Sequence, residues 1–319
     1  MDAKVLRELL PNVLLNEPMA NHTTFGIGGP ADALLLANCQ DELRAAVQAA
    51  LDNKVPYLLL GSGANVLVSD RGVRGLVIGN RCAHVQLTED ADGQPLLTSE
   101  SGALLRDVAH WAIERGLSGL EWAVDVPGTV GGAVVGNAGA FGGYVSDNLR
   151  SITIWSPAEG ERVCLASELG LGYRTSAFKS CKKAAQAAAH ACRECKTAGS
   201  DPVIMSATFA LARDDVQRVR ERAADFTRQR QESQPEGRSA GSIFKRTAQY
   251  PAGFLIENAN LKGRRLGDAI VSEKHANFII NLGHARASDV QKLISVVQAE
   301  VQRQFDVALE LEIELVGEW

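Results

Sequence analysis

Two short stretches of the chain carry side chains that could do chemistry. Arg174 lies in the polar and aromatic stretch Tyr173–Lys179, and its planar guanidinium has the donor geometry that binds a carboxylate or an enolate. Ser242 lies on a turn of small residues, just before the cations Lys245 and Arg246. A hydroxyl there could pass a proton over a short distance, while the cations would attract a phosphorylated substrate. Taken alone, an arginine is more often part of a surface salt bridge, and a serine more often caps a turn.

A third candidate is a pair of carboxylates close to the C-terminus. Glu310 and Glu312 alternate with apolar residues, and this alternation predicts a strand from Ala308 to Val316. The two-residue period of a strand places both carboxylates on one face. A solvated face is the ordinary explanation, and a carboxylate directed into a cavity would be the exception with a function.

Glycine dominates the segment Val126–Gly143, where seven of eighteen residues are glycine. This composition is unfavourable for a regular helix or strand, so it predicts a loop that presses its backbone against something large. Loops lined by backbone N–H groups bind anions, and phosphate above all. The segment Gly61–Asn65, which follows the apolar run Pro56–Leu60, has the same character. Two such loops predict a long phosphate-bearing ligand such as a dinucleotide, with a tightly packed crossover as the alternative for Gly128–Gly143.

Composition limits the class of protein. The 319 residues have a formal net charge of −5 at pH 7, which gives no reason to expect nucleic-acid binding. No apolar run approaches the length that spans a bilayer, and the first residues lack the basic region and apolar core of a signal peptide. Six cysteines are too sparse for a disulfide scaffold. We therefore expect a cytoplasmic protein with reduced thiols and no membrane or nucleic-acid partner.

Residues 180–200 break the pattern of the rest of the chain. An alanine-rich run there contains four soft side chains that could bind a metal: Cys181, His190, Cys192 and Cys195. The Cys-x-x-Cys pair has the spacing of a metal site, but the other two residues are irregularly placed. We expect a surface insertion or hairpin here, and no metal.

The elements that position these residues follow from apolar periodicity. The pattern predicts helices over 41–52, Leu104–Ala112 and Asp214–Gln231, and strands over Pro56–Leu60, Gly75–Ile78, Ser151–Trp155, Pro202–Leu211 and His275–Leu282. A last helix is predicted to begin at Ser288, with Gln291 completing a capping box. The first half is thus a mixture of α and β with loops after strands, and we place a domain boundary near residue 200.

Seven stretches, in order, resemble the UDP-N-acetylenolpyruvoylglucosamine reductase family, flavoproteins of bacterial cell-wall precursor synthesis. They are Thr23–Ala31, Leu60–Asp70, Gly116–Gly143, Gly172–Lys179, Ala240–Arg246, Ser272–Asn281 and Phe305–Trp319. Each stretch is only moderately specific, but together they cover nearly the whole chain except the 180–200 insertion. The length fits the shorter subtype of the family, which lacks an extra module that caps the substrate.

The resemblance implies an α+β fold. Residues 1–200 would form a FAD-binding domain of the vanillyl-alcohol-oxidase type with two subdomains, and residues 201–319 a smaller α+β substrate-binding domain. FAD would be held noncovalently and extended between the subdomains. The positions implied for its contacts are Gly61, Ser62, Gly63, Ala64, Asn65, Gly128, Thr129, Gly131, Gly132, Asn137, Ala138 and Gly139.

The resemblance also implies a reaction. NADPH would reduce the flavin, and flavin N5 would pass the hydride to the β-carbon of the enolpyruvyl ether of UDP-N-acetylglucosamine, giving UDP-N-acetylmuramate. Arg174, assisted by Glu312, would stabilise the enolate charge, and Ser242 would protonate the α-carbon. Tyr173, Lys245 and Arg246 would contact the UDP portion. We expect the enzyme to be a monomer.

Two rival functions stay open at this point. One is a FAD-dependent alcohol or sugar oxidase on the same scaffold, and the other is a flavin or nucleotide-sugar binding module without turnover. The chain also departs from the family pattern. Asp125 and Asp268 stand where glycine is expected, and Thr247 stands where proline is common. The 180–200 insertion is a candidate lid over the uridine end of the substrate.

Overall fold

The computed structural model describes Arg7, Leu10 and residues 12–179 and 202–319. The chain divides into two compact units of non-contiguous segments. Unit 1 comprises Met1–Leu36, Val55–Gly79 and Arg230–Trp319, and unit 2 comprises Ala37–Lys54 and Asn80–Gln229. The predicted domain boundary near residue 200 and the insertion before it lie outside the described residues, so both stay predictions.

The secondary structure is an even mixture of short strands and helices. The strands are β1 Leu14–Pro18, β2 Pro30–Ala37, β3 Tyr57–Leu60, β4 Val66–Val68, β5 Val73–Asn80, β6 Val85–Glu89, β7 Pro95–Glu100, β8 Leu117–Ser118, β9 Gly139–Ala140, β10 Gly143–Tyr144, β11 Leu149–Ser156, β12 Gly160–Leu165, β13 Val203–Ala210, β14 Ala212–Arg213, β15 Arg265–Leu266, β16 Ala269–Val271, β17 Ile279–Asn281 and β18 Glu314–Val316. The α-helices are α1 Gln40–Asp52, α2 Leu105–Ile113, α3 Val130–Gly136, α4 Val145–Asn148, α5 Val216–Ser233, α6 Ala252–Asn258 and α7 Ala287–Phe305. Short 3-10 helices cover Met19–His22, Glu121–Ala123 and Ala166–Glu168.

Unit 1 contains three small sheets. The first has the strand order β1-β2-β5-β3, with β1 and β2 antiparallel and β3 and β5 parallel. In the second, β18 pairs in parallel with β4, so that Glu314 lies opposite Val66. The third is the antiparallel sheet β15-β16-β17. Because β18 comes from the end of the chain, this pairing fixes the C-terminal segment beside the loop that precedes β4.

Helix α7 buries the apolar stripe that its sequence predicts. Val290, Leu293, Ile294, Val297 and Val301 recur every three or four residues, and all five are buried. They pack into a core with residues of α6 and of the β15-β16-β17 sheet. This core supports the backbone of residues 240–244, which carries Ser242.

Unit 2 is built on the antiparallel sheet β12-β11-β13-β7-β6. Burial alternates along β7, where every second residue lies in the core, as expected for a sheet covered on one face. Helix α3 packs on β13 and β7, and α2 packs beside β8. Phe209, Leu97 and Leu117 are fully buried in the resulting core.

Most of the predicted elements are confirmed. Apolar spacing located α1, α2 and α5 to within a few residues, and β3, β5, β11 and β13 overlap the predicted strands. Within the described ranges, no helix is both long enough and apolar enough to cross a membrane.

The prediction of a loop throughout Val126–Gly143 was wrong. Residues Val130–Gly136 form α3, and β9 and β10 pair as a short hairpin after it. Thr129 caps the helix, and Val130 and Val134 are buried in the core of unit 2. Tertiary burial and the cap outweigh the low helix propensity of glycine.

Three other predicted boundaries were wrong. Helix α7 begins at Ala287 rather than at a Ser288–Gln291 capping box, because the Asp289 carboxylate accepts from the Arg286 N–H at 3.2 Å and the Asp70 carboxylate accepts from the N–H groups of Ala287 and Ser288 at 2.7 and 3.0 Å. The strand predicted from 308 to 316 is a strand only at β18, and the strand predicted over 275–282 is a strand only at β17. In both segments, side-chain hydrogen bonds and isolated bridges replace a regular ladder.

Candidate functional site

The first predicted phosphate loop lies between β3 and β4 of unit 1. Gly63 is buried in this loop with φ +67°, and a Cβ at that position would overlap the carbonyl oxygen of His22. The Gly63 carbonyl accepts a hydrogen bond from the Thr24 N–H at 3.2 Å. A side chain does not fit here, because the loop backbone lies directly against residues 22–24.

Several donors of the same loop have no protein acceptor. The hydroxyl oxygen of Ser62 is buried and has no hydrogen-bond partner among the described residues. The N–H groups of Ser62, Gly63 and Ala64 likewise donate to no other group of those residues. Because buried polar groups are almost always paired in folded proteins, this cluster is suited to a ligand that brings acceptors, such as a phosphate.

The C-terminal segment completes the surroundings of this loop. The Asn65 side-chain amide donates to the Glu312 carbonyl at 3.2 Å, and the Glu314 N–H donates to the Asn65 carbonyl at 2.9 Å. Two predicted site regions, the loop Gly61–Asn65 and the residue Glu312, are therefore brought together within unit 1.

Ser242 lies on a backbone segment held from two sides. It forms an antiparallel bridge with Phe278, and Phe244 forms another with Leu311. The Glu312 N–H donates to the Ile243 carbonyl at 2.8 Å. Ser242 and Glu312 thus lie on adjacent backbone segments, and both side chains are half-buried.

The two cations after Ser242 differ in their surroundings. The Lys245 ammonium lies 3.0 Å from the Glu310 carboxylate, and the Lys245 N–H donates to the Glu310 carbonyl at 2.8 Å. Arg246 is exposed. The exposed carboxylate of Glu310 therefore pairs with a cation, which is the ordinary role for a strand carboxylate at the surface.

Arg174 lies in unit 2, on a tight two-residue turn. Gly172 and Thr175 exchange backbone hydrogen bonds of 3.1 and 3.2 Å across the turn, which leaves Tyr173 and Arg174 at its tip. Arg174 has φ +53°, in the left-handed region that non-glycine residues rarely adopt. Its guanidinium donates to the Gly139 carbonyl at 3.1 Å and lies 5.7 Å from the centre of the Tyr173 ring. A charged residue kept in such a conformation is typical of functional sites.

The N–H groups at the N-terminus of α3 already donate hydrogen bonds to other groups of the protein. The N–H groups of Val130 and Gly131 donate to the carbonyls of Ala103 and Ser101, both at 2.8 Å, and the Thr129 hydroxyl accepts from the Gly132 N–H at 3.4 Å. Gly128, with φ +120°, has open space where a Cβ would lie. The expected amide cradle is therefore largely occupied by protein carbonyls here, whereas the space beside Gly128 is open.

The residues after α3 position the Arg174 turn. Asn137 is buried at φ +40°, its amide donates to the Gly172 carbonyl at 3.0 Å, and its side-chain oxygen accepts from the Ser146 N–H at 3.0 Å. The Ala138 carbonyl accepts from the Val145 N–H at 2.9 Å. Asn137 and Gly139, both predicted as cofactor contacts, therefore also support Arg174 and its turn.

The three residues that depart from the family pattern each form hydrogen bonds within their own unit. Asp125 accepts a hydrogen bond of 2.7 Å from the Thr227 hydroxyl. Asp268 accepts from the Arg265 guanidinium at 2.6 Å and from the His284 N–H at 3.1 Å. Thr247 closes a turn with Tyr250 through its N–H and its hydroxyl. Each of the three residues thus stabilises a turn or a helix contact within its own unit.

Comparison with known proteins decides the family. The C-terminal domain family of UDP-N-acetylenolpyruvoylglucosamine reductase matches residues 232–316, and the FAD binding domain family matches residues 31–165. The UDP-N-acetylenolpyruvoylglucosamine reductase of Exiguobacterium sibiricum is 40% identical over 309 residues, which cover 96% of this chain and 93% of that one. The chain belongs to the UDP-N-acetylenolpyruvoylglucosamine reductase family.

Other members agree along the whole length. The UDP-N-acetylenolpyruvoylglucosamine reductase of Alkaliphilus oremlandii is 37% identical over 318 residues, covering 99% of this chain and 97% of that one. The crystal structure of the Thermus caldophilus reductase superposes with a TM-score of 0.73 at 34% identity, covering 95% of this chain and 98% of that one. The resemblance is therefore confirmed, and so is the fold class at the level of an α+β chain with a FAD-binding domain and the C-terminal domain of the reductase family.

The residues present fit the FAD that this reductase family uses. Ser62 offers a buried hydroxyl that has no hydrogen-bond partner among the described residues. The N–H groups of Ser62, Gly63 and Ala64 are available as donors as well. The backbone at Gly63 approaches residues 22–24 too closely for a side chain. These features belong to a built polar cradle rather than to a solvent-exposed turn, and they lie within the segment that matches the FAD binding domain.

Sequence reasoning assigned no role to several buried polar residues. Asn277 and Asn281 are each buried and make several hydrogen bonds to distant backbone. Glu121 is buried against Arg222; burial would raise the pKa of its carboxyl, but hydrogen bonds from the Gly119 N–H, Ser118 and Arg222 lower it overall. Both asparagines lie in the stretch Ser272–Asn281, which carries part of the family resemblance, but nothing in that stretch indicated which backbone groups they bind.

No metal centre is found in the part of the chain that the structure describes, where no group of three or more His, Cys, Asp or Glu residues could hold an ion. The candidate ligands Cys181, His190, Cys192 and Cys195 lie outside the described residues.

Proposed function

We propose that this chain reduces the enolpyruvyl ether of UDP-N-acetylglucosamine to UDP-N-acetylmuramate, with FAD as its cofactor and NADPH as the hydride donor. The observation that carries the proposal is the pairing of Glu312 with the segment of Ser242, through the 2.8 Å hydrogen bond from the Glu312 N–H to the Ile243 carbonyl. A proton donor and a carboxyl group on adjacent segments suit a reaction that builds up and then protonates an enolate. Full-length similarity to reductases supports the choice of substrate.

The loop Gly61–Asn65 would hold the phosphates of FAD. Its Ser62 hydroxyl and the N–H groups of Ser62, Gly63 and Ala64 would donate to phosphate oxygens, because no described protein group accepts from them. In unit 2, the open space beside Gly128 would admit the flavin, with Thr129, Gly131, Gly132, Asn137, Ala138 and Gly139 around it. The chemistry that bound FAD would supply is transfer of a hydride from NADPH to the β-carbon of the substrate.

Arg174 would stabilise the negative charge that collects on the substrate carboxylate. Its guanidinium is held by the Gly139 carbonyl and by the shape of its turn, so its donors are oriented before the substrate binds. Preorganised donors of this kind cost no reorganisation during the reaction. Glu312, half-buried and fixed by its backbone, would assist as a neutral acid that donates a hydrogen bond.

Ser242 would give its proton to the α-carbon. A serine hydroxyl is a poor acid in water, so the step needs a strongly basic enolate within hydrogen-bond distance. The bridge to Phe278 fixes the backbone that carries this hydroxyl. Tyr173, Lys245 and Arg246 would contact the UDP portion, where the two cations offset the charge of the diphosphate.

We infer that the enzyme is a monomer in the cytoplasm. Among the described residues, Cys39, Cys82 and Cys164 are free thiols, as expected in a reducing compartment.

An absorption spectrum followed by an anaerobic titration tests the proposal. Purified protein should carry a flavin spectrum, NADPH should bleach it without oxygen, and the enolpyruvyl substrate should restore it with formation of UDP-N-acetylmuramate. An alcohol or sugar oxidase would instead be bleached by its own substrate and restored by oxygen. Protein that does not bind FAD, or that is not restored by the enolpyruvyl ether, would contradict the assignment.

A further inference from the structure

Asn277 makes an unusual set of contacts with the segment that carries Ser242. Its side-chain oxygen accepts a hydrogen bond of 3.0 Å from the Phe244 N–H, and its side-chain amide donates to the Phe244 carbonyl at 2.8 Å. Its backbone carbonyl accepts from the Ile243 N–H at 2.8 Å. Asn277 is 7% exposed. A single side chain therefore satisfies both backbone groups of Phe244, as a neighbouring strand would.

This clamp is needed because the segment lacks a regular sheet. Its contacts with the two neighbouring backbone segments are single β-bridges outside any strand: Ser242 with Phe278, and Phe244 with Leu311. Gly241, which precedes Ser242, has φ +78° and open space where a Cβ would lie. Ile243 and Phe244 are buried in the core of unit 1, and the side chain of Asn277 additionally fixes the backbone of Phe244 there.

The same clamp reaches Glu312. The Ile243 carbonyl accepts from the Glu312 N–H, while the Ile243 N–H donates to the Asn277 carbonyl. The bond from the Ile243 N–H goes to the backbone carbonyl of residue 277, which any side chain at that position keeps. The Asn277 side chain itself holds the Phe244 N–H, in the peptide group whose carbonyl accepts from Glu312. A shift of this segment would move the Ser242 hydroxyl relative to Glu312.

Asn281 provides an internal comparison. It lies four residues further along the same segment, is 5% exposed, and also clamps backbone: its amide donates to the Phe25 carbonyl at 3.0 Å, and its side-chain oxygen accepts from the N–H groups of Gly283 and Ala285. None of these partners belongs to the segment of Ser242. The two asparagines thus share chemistry, burial and location but hold different parts of unit 1.

We propose that Asn277 is a positioning residue for the proton transfer by Ser242, a role that rests on the proposed function. It holds the Ile243–Phe244 backbone so that the Ser242 hydroxyl stays within reach of the α-carbon. A displacement of about 1 Å at a reacting group can cost on the order of 100-fold in rate. Loss of the clamp should therefore slow the step that needs Ser242 far more than hydride transfer from NADPH.

The test compares Asn277→Ala with Asn281→Ala in the FAD-loaded, full-length enzyme. Stopped-flow measurements follow flavin reduction by NADPH and flavin reoxidation by the enolpyruvyl substrate separately. We expect Asn277→Ala to keep the reduction rate within about twofold and to slow reoxidation between 10- and 100-fold, since misplacement acts on the proton donor. Reoxidation should also show a larger solvent deuterium isotope effect, because proton transfer limits the rate more strongly. Asn281→Ala should show neither change.

A second readout does not depend on activity. Amide hydrogen exchange of the Phe244 N–H should accelerate in Asn277→Ala and stay as in the unmodified protein in Asn281→Ala. If the alanine variant does not fold, Asn277→Asp serves instead: it keeps the acceptor for the Phe244 N–H but sets a carboxylate oxygen against the Phe244 carbonyl, and it must show the same selective slowing of reoxidation.

The outcomes distinguish a failure of the positioning role of Asn277 from a failure of the proposed function. Equal slowing of both half-reactions, equal effects of the two asparagine variants, or reoxidation of Asn277→Ala at the unmodified rate would overturn the positioning role. Ser242→Ala is measured in parallel. If it reoxidises at the unmodified rate, the proton-donor role of Ser242 fails and the role of Asn277 fails with it; if only Ser242→Ala is slow, the proposed function stands and Asn277 is structural.

Discussion

The side-chain amide of Asn137 donates to the carbonyl of Gly172, 3.0 Å away. Gly172 is the first residue of the turn that presents Arg174, and Asn137 is the left-handed residue that ends α3. The orientation of the arginine is therefore tied to the end of the glycine-rich helix. Gly139 adds a second tie, because its carbonyl accepts from the Arg174 guanidinium.

Asn137→Gly tests this tie. Glycine adopts φ +40° without strain, so the substitution removes only the hydrogen bonds to Gly172 and Ser146. Each such bond contributes about 1 kcal/mol, and we expect a small loss of stability but a roughly tenfold slower reoxidation by substrate, because Arg174 loses its support. The measurement is stopped-flow reoxidation beside thermal unfolding.

Asn148→Ala is the matched control for that variant. Its amide donates to the Gly119 carbonyl at 2.7 Å, also in unit 2, but it supports no predicted site residue. It should lower stability by a similar amount and leave the reoxidation rate unchanged. Equal kinetic effects of the two variants would show that Asn137 acts only through overall stability.

Gly63→Ala should be far more harmful than an ordinary glycine substitution. A Cβ at Gly63 meets the His22 carbonyl oxygen, whereas a Cβ at Gly93, which has a similar φ of +78°, meets nothing within 4 Å. Both variants carry the left-handed backbone cost of about 1–2 kcal/mol, but only Gly63→Ala must move the backbone. We expect Gly93→Ala to keep its FAD content and Gly63→Ala to lose FAD and unfold at a lower temperature. Similar unfolding temperatures for the two would contradict this reading of the loop.

Local patterns predicted the elements, and long-range contacts decided their ends. The spacing of Val290, Leu293 and Val297 is sufficient to place α7, because burial of one face follows from the helical period. Its first residue was missed by one position, because the local cap is the Asp289 carboxylate, which accepts from the Arg286 N–H at 3.2 Å, rather than Gln291. Asp70 adds a cap that neighbouring residues cannot reveal, since it lies 217 residues away in sequence from Ala287.

In the candidate site, too, local features were predictable and long-range contacts were not. Residue type and motif were sufficient to select Arg174, Ser242 and Glu312, because the chemistry that each can perform depends on its own side chain. Asn277 lies in the resembling stretch Ser272–Asn281, but its role was not predicted, because that role comes from hydrogen bonds to Phe244, 33 residues away. The helix at Val130–Gly136 was missed for a related reason: its first amides are satisfied by Ser101 and Ala103, which glycine content does not reveal.

Ser62→Ala separates a ligand contact from a structural one. The Ser62 hydroxyl has no partner among the described residues, so its removal leaves no protein group unpaired and should not destabilise the apoprotein. If this hydroxyl donates to FAD, the variant should bind FAD about tenfold more weakly, since one such bond contributes about 1.4 kcal/mol. Titration of apoprotein with FAD measures the change.

Ser69→Ala gives the opposite pattern and serves as the control. The Ser69 hydroxyl donates to the Glu318 carbonyl and accepts from the Arg71 N–H at 3.2 Å. Its loss should lower the unfolding temperature of the apoprotein with little direct effect on FAD. A drop in apoprotein stability for Ser62→Ala, with unchanged FAD affinity, would remove Ser62 from the cofactor site.

His275 should make stability depend on pH between neutral and mildly acidic conditions. Burial lowers the pKa of its imidazole below the ordinary 6.5, and the positive charge of Lys262 also lowers it, against an opposing effect of Glu257. Its Nδ1 accepts from the Asn277 N–H at 3.2 Å, which requires an unprotonated nitrogen. Below pH 6.5 the unfolded chain therefore takes up a proton before the folded protein does, so stability is full above that pH and falls as the pH drops toward the lowered pKa.

His275→Asn should flatten this decline, because an asparagine oxygen can accept the same hydrogen bond without titrating. Urea unfolding at a series of pH values between 7.5 and about 5 measures the slope. The Asp70 carboxyl, whose pKa is also lowered, loses its contribution only at more acidic pH, since its ordinary value is 3.8. His84→Asn, at an exposed histidine, should keep the slope of the unmodified protein. If the dependence of stability on pH is unchanged in His275→Asn, another group titrates in this pH range and the buried imidazole does not contribute.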